Sequence, residues 1–384
     1  MAAIEKILLM SNSPAVTSGY GIQAAMLAPR LAALGHEVVI FAPFSGGSTV
    51  TEWQGLRVLP PFRDLTGSDV LAEVYRRENP GLLLTLCDPF SLLDCRRELA
   101  GMNAAHWFPA DCQPCSAADM AVLRDGQGIP VAMSRFGEQM LRLEGADPLY
   151  VPHSVDADVF SPGSPPAAPP GTGPDTFTVG ICGLNRGHRK GLAEQLPAFA
   201  RFHARHPDTH LALHTSPYPR PGELGVSLPD LAGALGITAA VSYPDPYRYG
   251  MGLYSREDMA AWYRSLDVLS LCSYGEGFGL PLVEAQACGV PVVTTLAAAM
   301  TELCGSGWLV GGTDHWENGH GAWWTRPDPA SIEAAYEAAW QAREDGKMPE
   351  MQARARTFAL QYEVDHVFDH FWKPALDDIA ERIR

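Results

Sequence analysis

The sequence predicts an α/β protein of two domains, each built around a parallel sheet. Short apolar segments rich in β-branched residues alternate with helical segments in two successive series, as in doubly wound sheets. A stretch rich in proline and glycine, residues 161–176, separates the two series and is predicted to be a linker. With 384 residues, 46% of them hydrophobic, the chain is long enough for two such domains.

The first series predicts a domain over residues 1–160. A strand over residues 4–10 leads into a loop that contains Gly19 and Gly21, and a helix then runs to about Leu34. The loop lacks a strict G-x-G-x-x-G, and no acidic residue closes the strand that follows, so a nicotinamide cofactor is disfavoured. From the residues alone, this loop is either a ligand-binding turn or a plain connection.

Two further strands of the first domain end near acidic residues. We predict strands over residues 82–86 and 104–108, and Asp88 and Asp111 follow them. Open α/β sheets bind ligands at the carboxyl ends of their strands, which makes these positions candidates for a site. His106 lies within the second of these strands, where it is either a site residue or a satisfied core histidine.

The second series predicts a domain over residues 177–361, beginning with a strand at 177–183. A cationic cluster follows it in an otherwise acidic protein, with Arg186, Arg189 and Lys190 close together. Cations beside a glycine turn at a strand end suit a pyrophosphate, although a solvated surface gives the same pattern. The final helix, about residues 362–384, has apolar residues at helical spacing and is predicted to pack back on the first domain.

The most informative stretch is 273–295, which reads SYGEGFGLPLVEAQACGVPVVTT. It predicts a glycine-rich turn, a helix from about Pro281 to Cys288, and a strand. Such a turn lets backbone amides approach an anion at the helix N-terminus. Glu276 and Glu284 add two acceptors for hydroxyl groups, so the stretch suits a diphosphate between two sugars, as in a nucleotide sugar. A tight turn with two solvated glutamates is the alternative.

Residues 276–284, EGFGLPLVE, resemble the Glu-x7-Glu motif of retaining glycosyltransferases with the GT-B fold, and the longer run is similar to glycosyltransferase family 4. The resemblance implies two Rossmann-like domains that face each other across a cleft, with the acceptor on the first and the donor on the second. It implies transfer of a sugar from a UDP- or GDP-sugar to an acceptor, with retention of anomeric configuration.

The resemblance also implies roles for single residues. Glu276 would contact the donor sugar, Glu284 the nucleotide ribose, and Tyr243 the nucleobase. Either His106 or Asp111 would contact the donor sugar from the first domain. The donor diphosphate would be held by residues of three loops: Gly19, Gly21, Arg186, Lys190, Gly277, Phe278 and Gly279.

The two cations in this set are assigned by position, and Arg189 could substitute for either. Because these cations can stabilise a departing diphosphate and the motif regions contain no Asp-x-Asp, we expect no cofactor and no divalent metal in catalysis. Cys112-Gln-Pro-Cys115 is the one close cysteine pair. Without a second pair or a nearby histidine pair, it is weak evidence for a zinc or redox site.

Composition narrows the class of protein further. The formal net charge of −16 argues against a general nucleic-acid binder. The sequence contains no run of about 18 apolar residues, so no transmembrane segment is predicted. The eight scattered cysteines suit a reducing cytoplasm. The expected partners are a nucleotide-sugar donor and an acceptor that is a small molecule, a glycan or a protein. The alternatives are a nucleotide-sugar epimerase of the same fold and a non-catalytic nucleotide-sugar binding protein.

Overall fold

A computed structural model describes residues 4–44, 50–60, 64, 66–163, 172–173 and 175–383. The chain divides into two compact units. Unit 1 comprises Met1–Ser154, Glu317–Ala322 and Val364–Arg384, and unit 2 comprises Val155–Trp316 and Trp323–Glu363. The predicted linker lies partly outside the described residues, which omit 164–171 and 174.

Three segments fall in a unit other than the predicted one, and the shortest is residues 362–363, the start of the predicted final helix, which belong to unit 2. Residues 155–160, predicted in the first domain, belong to unit 2. The Val155 N–H donates to the Tyr362 carbonyl oxygen at 2.8 Å, and this bond ties the segment to unit 2. Residues 317–322, predicted in the second domain, belong to unit 1.

Unit 1 contains an eight-stranded sheet in the order β3-β4-β2-β1-β5-β6-β7-β8. All neighbouring strands are parallel except the β3–β4 pair. Its central strands are apolar along their whole length because helices cover both faces of a parallel sheet. The strands are β1 Lys6–Asn12, β2 Glu37–Phe44, β3 Glu52–Trp53, β4 Leu56–Leu59, β5 Leu82–Leu86, β6 Ala104–Phe108, β7 Ile129–Ala132 and β8 Leu149–Tyr150.

Unit 2 contains a six-stranded parallel sheet in the order β11-β10-β9-β12-β13-β14. A separate two-stranded hairpin, β15–β16, follows it. The strands are β9 Phe177–Cys182, β10 Thr209–His214, β11 Val241–Ser242, β12 Val268–Leu271, β13 Val292–Thr295, β14 Gly307–Val310, β15 Gly312–Glu317 and β16 Ala322–Pro327.

Helices connect the strands and bury their apolar faces against the sheets. Serine side chains cap several of them, among them Ser18 and Ser134, by accepting a backbone N–H in the first turn. The helices are α1 Gly19–Ala33, α2 Leu71–Glu78, α3 Arg96–Leu99, α4 Ala117–Gly126, α5 Arg135–Leu143, α6 Leu192–Arg205, α7 Leu228–Ala234, α8 Pro246–Gly250, α9 Arg256–Arg264, α10 Leu280–Ala287, α11 Pro329–Glu344, α12 Met348–Ala359, α13 Val364–Val367 and α14 Lys373–Arg382.

Shorter helical turns complete the structure: Pro89–Leu92, Thr238–Ala240, Ala298–Thr301 and Leu360–Tyr362 are 3₁₀ helices, and Phe368–Trp372 is a π-helical segment. The C-terminal segment lies against the sheet of unit 1, where Trp372 packs edge-on against Trp107 of β6 with ring centroids 4.8 Å apart. Within the part of the chain that the structure describes, no helix is both long and apolar enough for a bilayer crossing.

Candidate functional site

The strand order of unit 2 creates a switch point between β9 and β12. The chain continues from β9 towards β10 and β11 on one side, and from β12 towards β13 and β14 on the other. In open α/β sheets, ligands bind beyond the carboxyl ends of the strands at such a point. The loop after β9 carries the predicted cations, and the loop after β12 carries the Glu276 turn. The two predicted motifs are therefore neighbours at this position.

Two cations of the loop after β9 balance the negative charge of Glu276. Its Oε1 accepts from Lys190 Nζ at 2.5 Å and from Ser273 Oγ at 2.5 Å, and its Oε2 accepts from Arg189 Nη1 at 2.7 Å. The same guanidinium nitrogen also donates to the Gly275 carbonyl oxygen at 3.0 Å. Both carboxylate oxygens are thus engaged by charged or hydroxyl donors.

The charge of Glu276 is stabilised despite its burial. Only 6% of the residue is exposed. Burial alone would raise the pKa of this carboxyl, but Arg189 and Lys190 outweigh burial and hold the pKa at about 2. Glu276 is therefore ionised at neutral pH, and two cations are held at the end of β12.

Two glycines allow the loop after β9 to approach the end of β12. A Cβ on Gly183 would lie 3.2 Å from Cδ of Lys190, which packs directly over this residue. Gly191, at φ +59°, precedes α6, and a Cβ there would lie 2.1 Å from the Cys272 carbonyl oxygen. No larger residue fits at position 191 without moving the backbone.

Glu284 lies on α10 and is oriented by a tyrosine. Its Oε2 accepts from Tyr263 Oη at 2.9 Å. Burial raises the pKa of Glu284, and the Tyr263 hydroxyl and the Arg256 guanidinium oppose this effect. Cys182, the last residue of β9, is within electrostatic reach of Glu284, Lys190 and Glu276. The charged groups of the site therefore converge at the end of β9.

The remaining turn residues present the N-terminus of α10. Gly279 occupies the N-cap position at φ +116°, where glycine is favoured, and no side chain caps the helix there. Gly277 and Phe278 precede it, and the Phe278 ring packs on Tyr362 with centroids 5.7 Å apart. The first-turn amides and the helix dipole give this end of α10 a partial positive charge.

Arg186 is not part of this cluster. Its side chain is 71% exposed, and its Nε lies 3.6 Å from Oε1 of Glu223. The cation that joins Lys190 on Glu276 is Arg189. Arg186 and Arg189 have different partners because the loop turns between and after them, at Gly187 and Gly191, which both have positive φ angles.

In unit 1, the structure separates the two candidates for contact with the donor sugar. His106 is a packed core residue with 2% of its surface exposed, and its Nδ1 lies 2.8 Å from Thr85 Oγ1. Burial lowers the pKa of His106 to about 4. Its Nε2 is buried and has no hydrogen-bond partner within the described residues, so the choice between a core histidine and a site residue stays a prediction. Asp111 is partly exposed in the loop after β6, beside Cys112 and His320.

Gly21 has a clear local role in the first turn of α1. The amide of Gly21 donates to Ser18 Oγ at 3.1 Å, which caps α1. A Cβ at position 21 would lie 2.5 Å from the Val16 carbonyl oxygen, so close packing of the loop explains the glycine. Gly19 is exposed at the first position of α1.

The predicted nucleobase region is aromatic. Tyr243 follows β11, is partly buried and packs against the core of unit 2. At the end of β10, the strand paired with β11, His214 contacts three rings, Tyr249, Tyr254 and Trp262, with centroids 4.9–5.5 Å apart. Burial lowers the pKa of His214 to about 4, so the ring is neutral at pH 7.

A second aromatic group beside the charged cluster is absent from the sequence predictions. His188, next to Arg189 in the chain, contacts Tyr274, His315 and Trp324 with ring centroids 5.0–5.8 Å apart. The last two come from the β15–β16 hairpin. The signal in the sequence is the density of histidine and tryptophan in residues 311–324, but nothing in their spacing relates them to His188.

Comparison with known proteins agrees with the site. Residues 176–335 match the family model described as Glycosyl transferases group 1. The matched segment contains the cationic loop, the Glu276 turn and α10. The resemblance to this group predicted from the Glu-x7-Glu motif is confirmed.

Curated relatives match over part of their length. The D-inositol 3-phosphate glycosyltransferase of Mycobacterium sp. (strain JLS) is 34% identical over 170 residues, 42% of this chain and 36% of that protein. The D-inositol 3-phosphate glycosyltransferase of Stackebrandtia nassauensis is 33% identical over 211 residues, 51% of this chain and 46% of that protein. The chain thus spans less than half the length of these relatives.

Solved structures are similar over the whole chain. A glycosyltransferase from Rickettsia africae ESF-5 has a TM-score of 0.71 at 15% identity, covering 100% of this chain and 99% of that one. Anabaena Alr3699/HepE in complex with UDP-glucose has a TM-score of 0.69 at 15% identity, covering 97% and 99%. At these identities the likeness concerns the fold, and it confirms the predicted α/β class with two Rossmann-like domains of the GT-B type.

Proposed function

Because residues 176–335 match the family model of glycosyl transferases group 1, we propose that the protein transfers a sugar from a nucleotide diphosphate sugar to an acceptor, with retention of anomeric configuration. The observation that carries this proposal is the pairing of Lys190 and Arg189 with the buried carboxylate of Glu276, in the turn that precedes α10. It combines two cations for a diphosphate with a carboxylate for sugar hydroxyls, at the switch point of the sheet.

The cations stabilise the leaving diphosphate. Lys190 and Arg189 pair with Glu276, in the turn that leads into α10. An anion bound at the helix N-terminus would receive backbone N–H groups together with these two positive charges. In this proposal Arg189 takes the role that the family resemblance gave by position to Arg186. Departure of a diphosphate needs no divalent cation when fixed protein charges stabilise it, and we propose metal-independent transfer on that basis.

Glu276 binds the sugar and does not attack it. Its Oε1 is held by Lys190 and Ser273 and its Oε2 by Arg189, which lowers the nucleophilicity of both oxygens. A diphosphate sharing the two cations leaves carboxylate lone pairs for hydrogen bonds from sugar hydroxyls. Retention then follows from attack by the acceptor on the face that the diphosphate leaves, with a diphosphate oxygen taking the acceptor's proton.

Glu284 is assigned to the nucleotide ribose. Tyr263 fixes its orientation, and a buried carboxylate gains from accepting the two ribose hydroxyls. The nucleobase lies in this proposal near Tyr243 and the rings around His214. No catalytic role is proposed for His106, which is packed in the core, or for Asp111, which lies beside Cys112 and His320.

Donor and acceptor classes are proposed from the relatives. The curated relatives act on D-inositol 3-phosphate, and Anabaena Alr3699/HepE was solved with UDP-glucose. UDP-glucose and inositol phosphates are therefore the first probes for this chain. All eight cysteines are free thiols, the form that a reducing compartment maintains. On this basis we propose a cytoplasmic location.

A thermal-shift panel of UDP, GDP, ADP and dTDP tests the proposal. One nucleotide at 100 times its dissociation constant should stabilise the fold by about 2.7 kcal/mol. Lys190→Ala should abolish this stabilisation, whereas Arg186→Ala, at an exposed cation in the same loop, should keep most of it. If none of the four nucleotides raises the melting temperature, the proposed function is wrong.

The two alternative functions make different predictions. An epimerase interconverts a UDP-sugar in the absence of acceptor, and a binding protein leaves it intact with or without acceptor. The proposed transferase consumes the donor only when a hydroxyl acceptor, or slowly water, is present. Chromatography of the nucleotide products with and without acceptor separates the three.

A further inference from the structure

Two sequence features have no part in the proposed transfer. One is the pair Cys112-x-x-Cys115, in the loop between β6 and α4. The other is the turn of the β15–β16 hairpin, which carries His320. Unit 1 contains both, since residues 317–322 belong to it.

The structure brings these features together as a set of metal-ligand side chains. Asp111, Cys112 and His320 each offer one ligand atom, a carboxylate oxygen, a thiol sulfur and an imidazole nitrogen, and these atoms lie within 4.8 Å of one another. Bonds of about 2.0–2.3 Å to one zinc ion place neighbouring ligand atoms of a tetrahedron about 3.5 Å apart. Small side-chain adjustments therefore suffice to close the set on an ion.

A buried carboxylate beside the set is an independent indication of a cation. Asp119, on α4, has 8% of its surface exposed, and its Oδ2 accepts from Ser116 Oγ at 2.7 Å. Its Oδ1 has no hydrogen-bond partner within the described part of the chain. Asp119 lies within electrostatic reach of both Asp111 and His320. An unpaired carboxylate oxygen in the interior is costly, and a nearby cation would offset that cost.

We propose that Asp111, Cys112 and His320 bind a zinc ion. Sulfur, nitrogen and oxygen ligands together suit zinc, whereas magnesium and calcium take oxygen ligands only. The thiol of Cys115 is buried within electrostatic reach of Asp111 and Cys112, but it does not belong to the set of close ligand atoms and is not counted as a ligand. On binding, the Cys112 thiol loses its proton to solvent, and the thiolate sulfur donates its lone pair to the ion.

The role of this ion is structural. Its ligands come from the loop after β6 and from a turn about 200 residues later in the chain, so the ion closes a long loop. It fixes the hairpin turn to the sheet of unit 1. None of the side chains to which we assign donor binding belongs to the set, so the site and the transfer reaction are tested separately.

Metal content of the full chain tests the proposal. The protein is loaded with zinc, freed of excess metal by gel filtration and analysed by mass spectrometry of the metal. Roughly one zinc per chain is expected. His320→Ala and Cys112→Ser should each lower the zinc affinity by at least about 10-fold. Cys304→Ser and His366→Ala are matched controls outside the set and should retain the metal.

Cobalt gives a second readout that reports the sulfur ligand. Co²⁺ in place of zinc should show a thiolate-to-metal charge-transfer band that Cys112→Ser removes and Cys304→Ser does not. His320 lies in a half-exposed turn, so His320→Ala keeps the test valid if Cys112→Ser fails to fold. If His320→Ala retains as much metal as the controls, the metal is an adventitious ion only and the proposal is wrong. The proposal is also wrong if the wild-type chain retains no metal.

Discussion

Glu276 is a buried carboxylate whose charge is balanced by side chains from another loop, and this pairing determines its chemistry. Lys190 and Arg189 occupy separate oxygens of the carboxylate. Fixed charges that need no reorganisation during the reaction are the main source of transition-state stabilisation in many enzymes. Binding of the donor sugar in the proposed manner therefore requires Glu276 in its ionised state.

The first prediction concerns turnover. Glu276→Gln should retain nucleotide binding and lower the turnover number by roughly 10- to 100-fold, because hydrogen bonds to a charged acceptor contribute about 1.5–3 kcal/mol. Intact mass after incubation with donor alone should show no covalent adduct. Glu257→Gln, at an exposed glutamate of α9, is the control and should match the wild type. Unchanged turnover in Glu276→Gln would remove the carboxylate from the mechanism.

The second prediction concerns pH and stability. The pKa of Glu276 is about 2 in the folded protein, below the ordinary value of 4.5, so its ionisation stabilises the fold fully above about pH 4.5. This contribution is lost as the pH falls towards 2, because the carboxyl becomes protonated and uncharged. The wild type then resembles a Glu276→Gln variant, whose amide carries no charge.

Urea unfolding of wild type and Glu276→Gln measures this effect. The difference in the free energy of unfolding should be largest at pH 6–7 and should narrow as the pH falls below about 4.5. A difference that stays constant from pH 7 to pH 3 would show that Glu276 is not held in its ionised form by the two cations.

At the scale of elements, the loop after β9 is shaped by glycines with different constraints. Gly187 and Gly191 both have positive φ angles, +63° and +59°. A Cβ on Gly187 meets nothing within 4 Å, whereas a Cβ on Gly191 would lie 2.1 Å from the Cys272 carbonyl oxygen. Substitutions at these two positions therefore distinguish the cost of a left-handed backbone conformation from the cost of a steric clash.

The third prediction uses this pair. Gly187→Ala should cost about 1–2 kcal/mol for the left-handed conformation alone. Gly191→Ala should cost about 1–3 kcal/mol more, because the added methyl displaces the end of β12. Denaturant unfolding measures both. Equal costs would mean that an added methyl at position 191 does not clash with the Cys272 carbonyl oxygen.

Much of the secondary structure could be predicted because its signals are local. The predicted strands over residues 82–86 and 104–108 coincide with β5 and β6, since strands buried on both faces are continuous apolar runs. Local signals also set the start of α5 at Arg135, since Ser134 supplies the N-cap. Glycine and proline likewise delimit α10 to within a residue or two of its prediction.

The site was harder to predict, because loop conformation decides it. Spacing places three cations after β9 but does not reveal that Arg189 contacts Glu276 while Arg186 lies beside Glu223. No secondary structure is predicted for residues 311–324, and the structure shows the β15–β16 hairpin there. Its contacts with His188 and its turn beside Asp111 depend on tertiary packing, for which one sequence carries no signal.

At the scale of the whole molecule, the residues proposed for donor binding are contained in one unit. Lys190, Arg189, Glu276 and Glu284 all fall in unit 2 and within residues 176–335, the segment that matches glycosyl transferases group 1. The donor site can therefore be tested by variants of unit 2 alone, and the proposed zinc site by variants of residues in unit 1.

The configuration of the product decides whether transfer proceeds with retention. UDP-glucose, an α-linked donor, is incubated with the protein and a panel of hydroxyl acceptors that includes inositol phosphates, and the anomeric proton of the product is followed by NMR. We predict an α-linked product that forms as UDP is released, since the acceptor attacks the face that the diphosphate leaves. A β-linked product from the α-linked donor would contradict the account, because it requires attack from the opposite face.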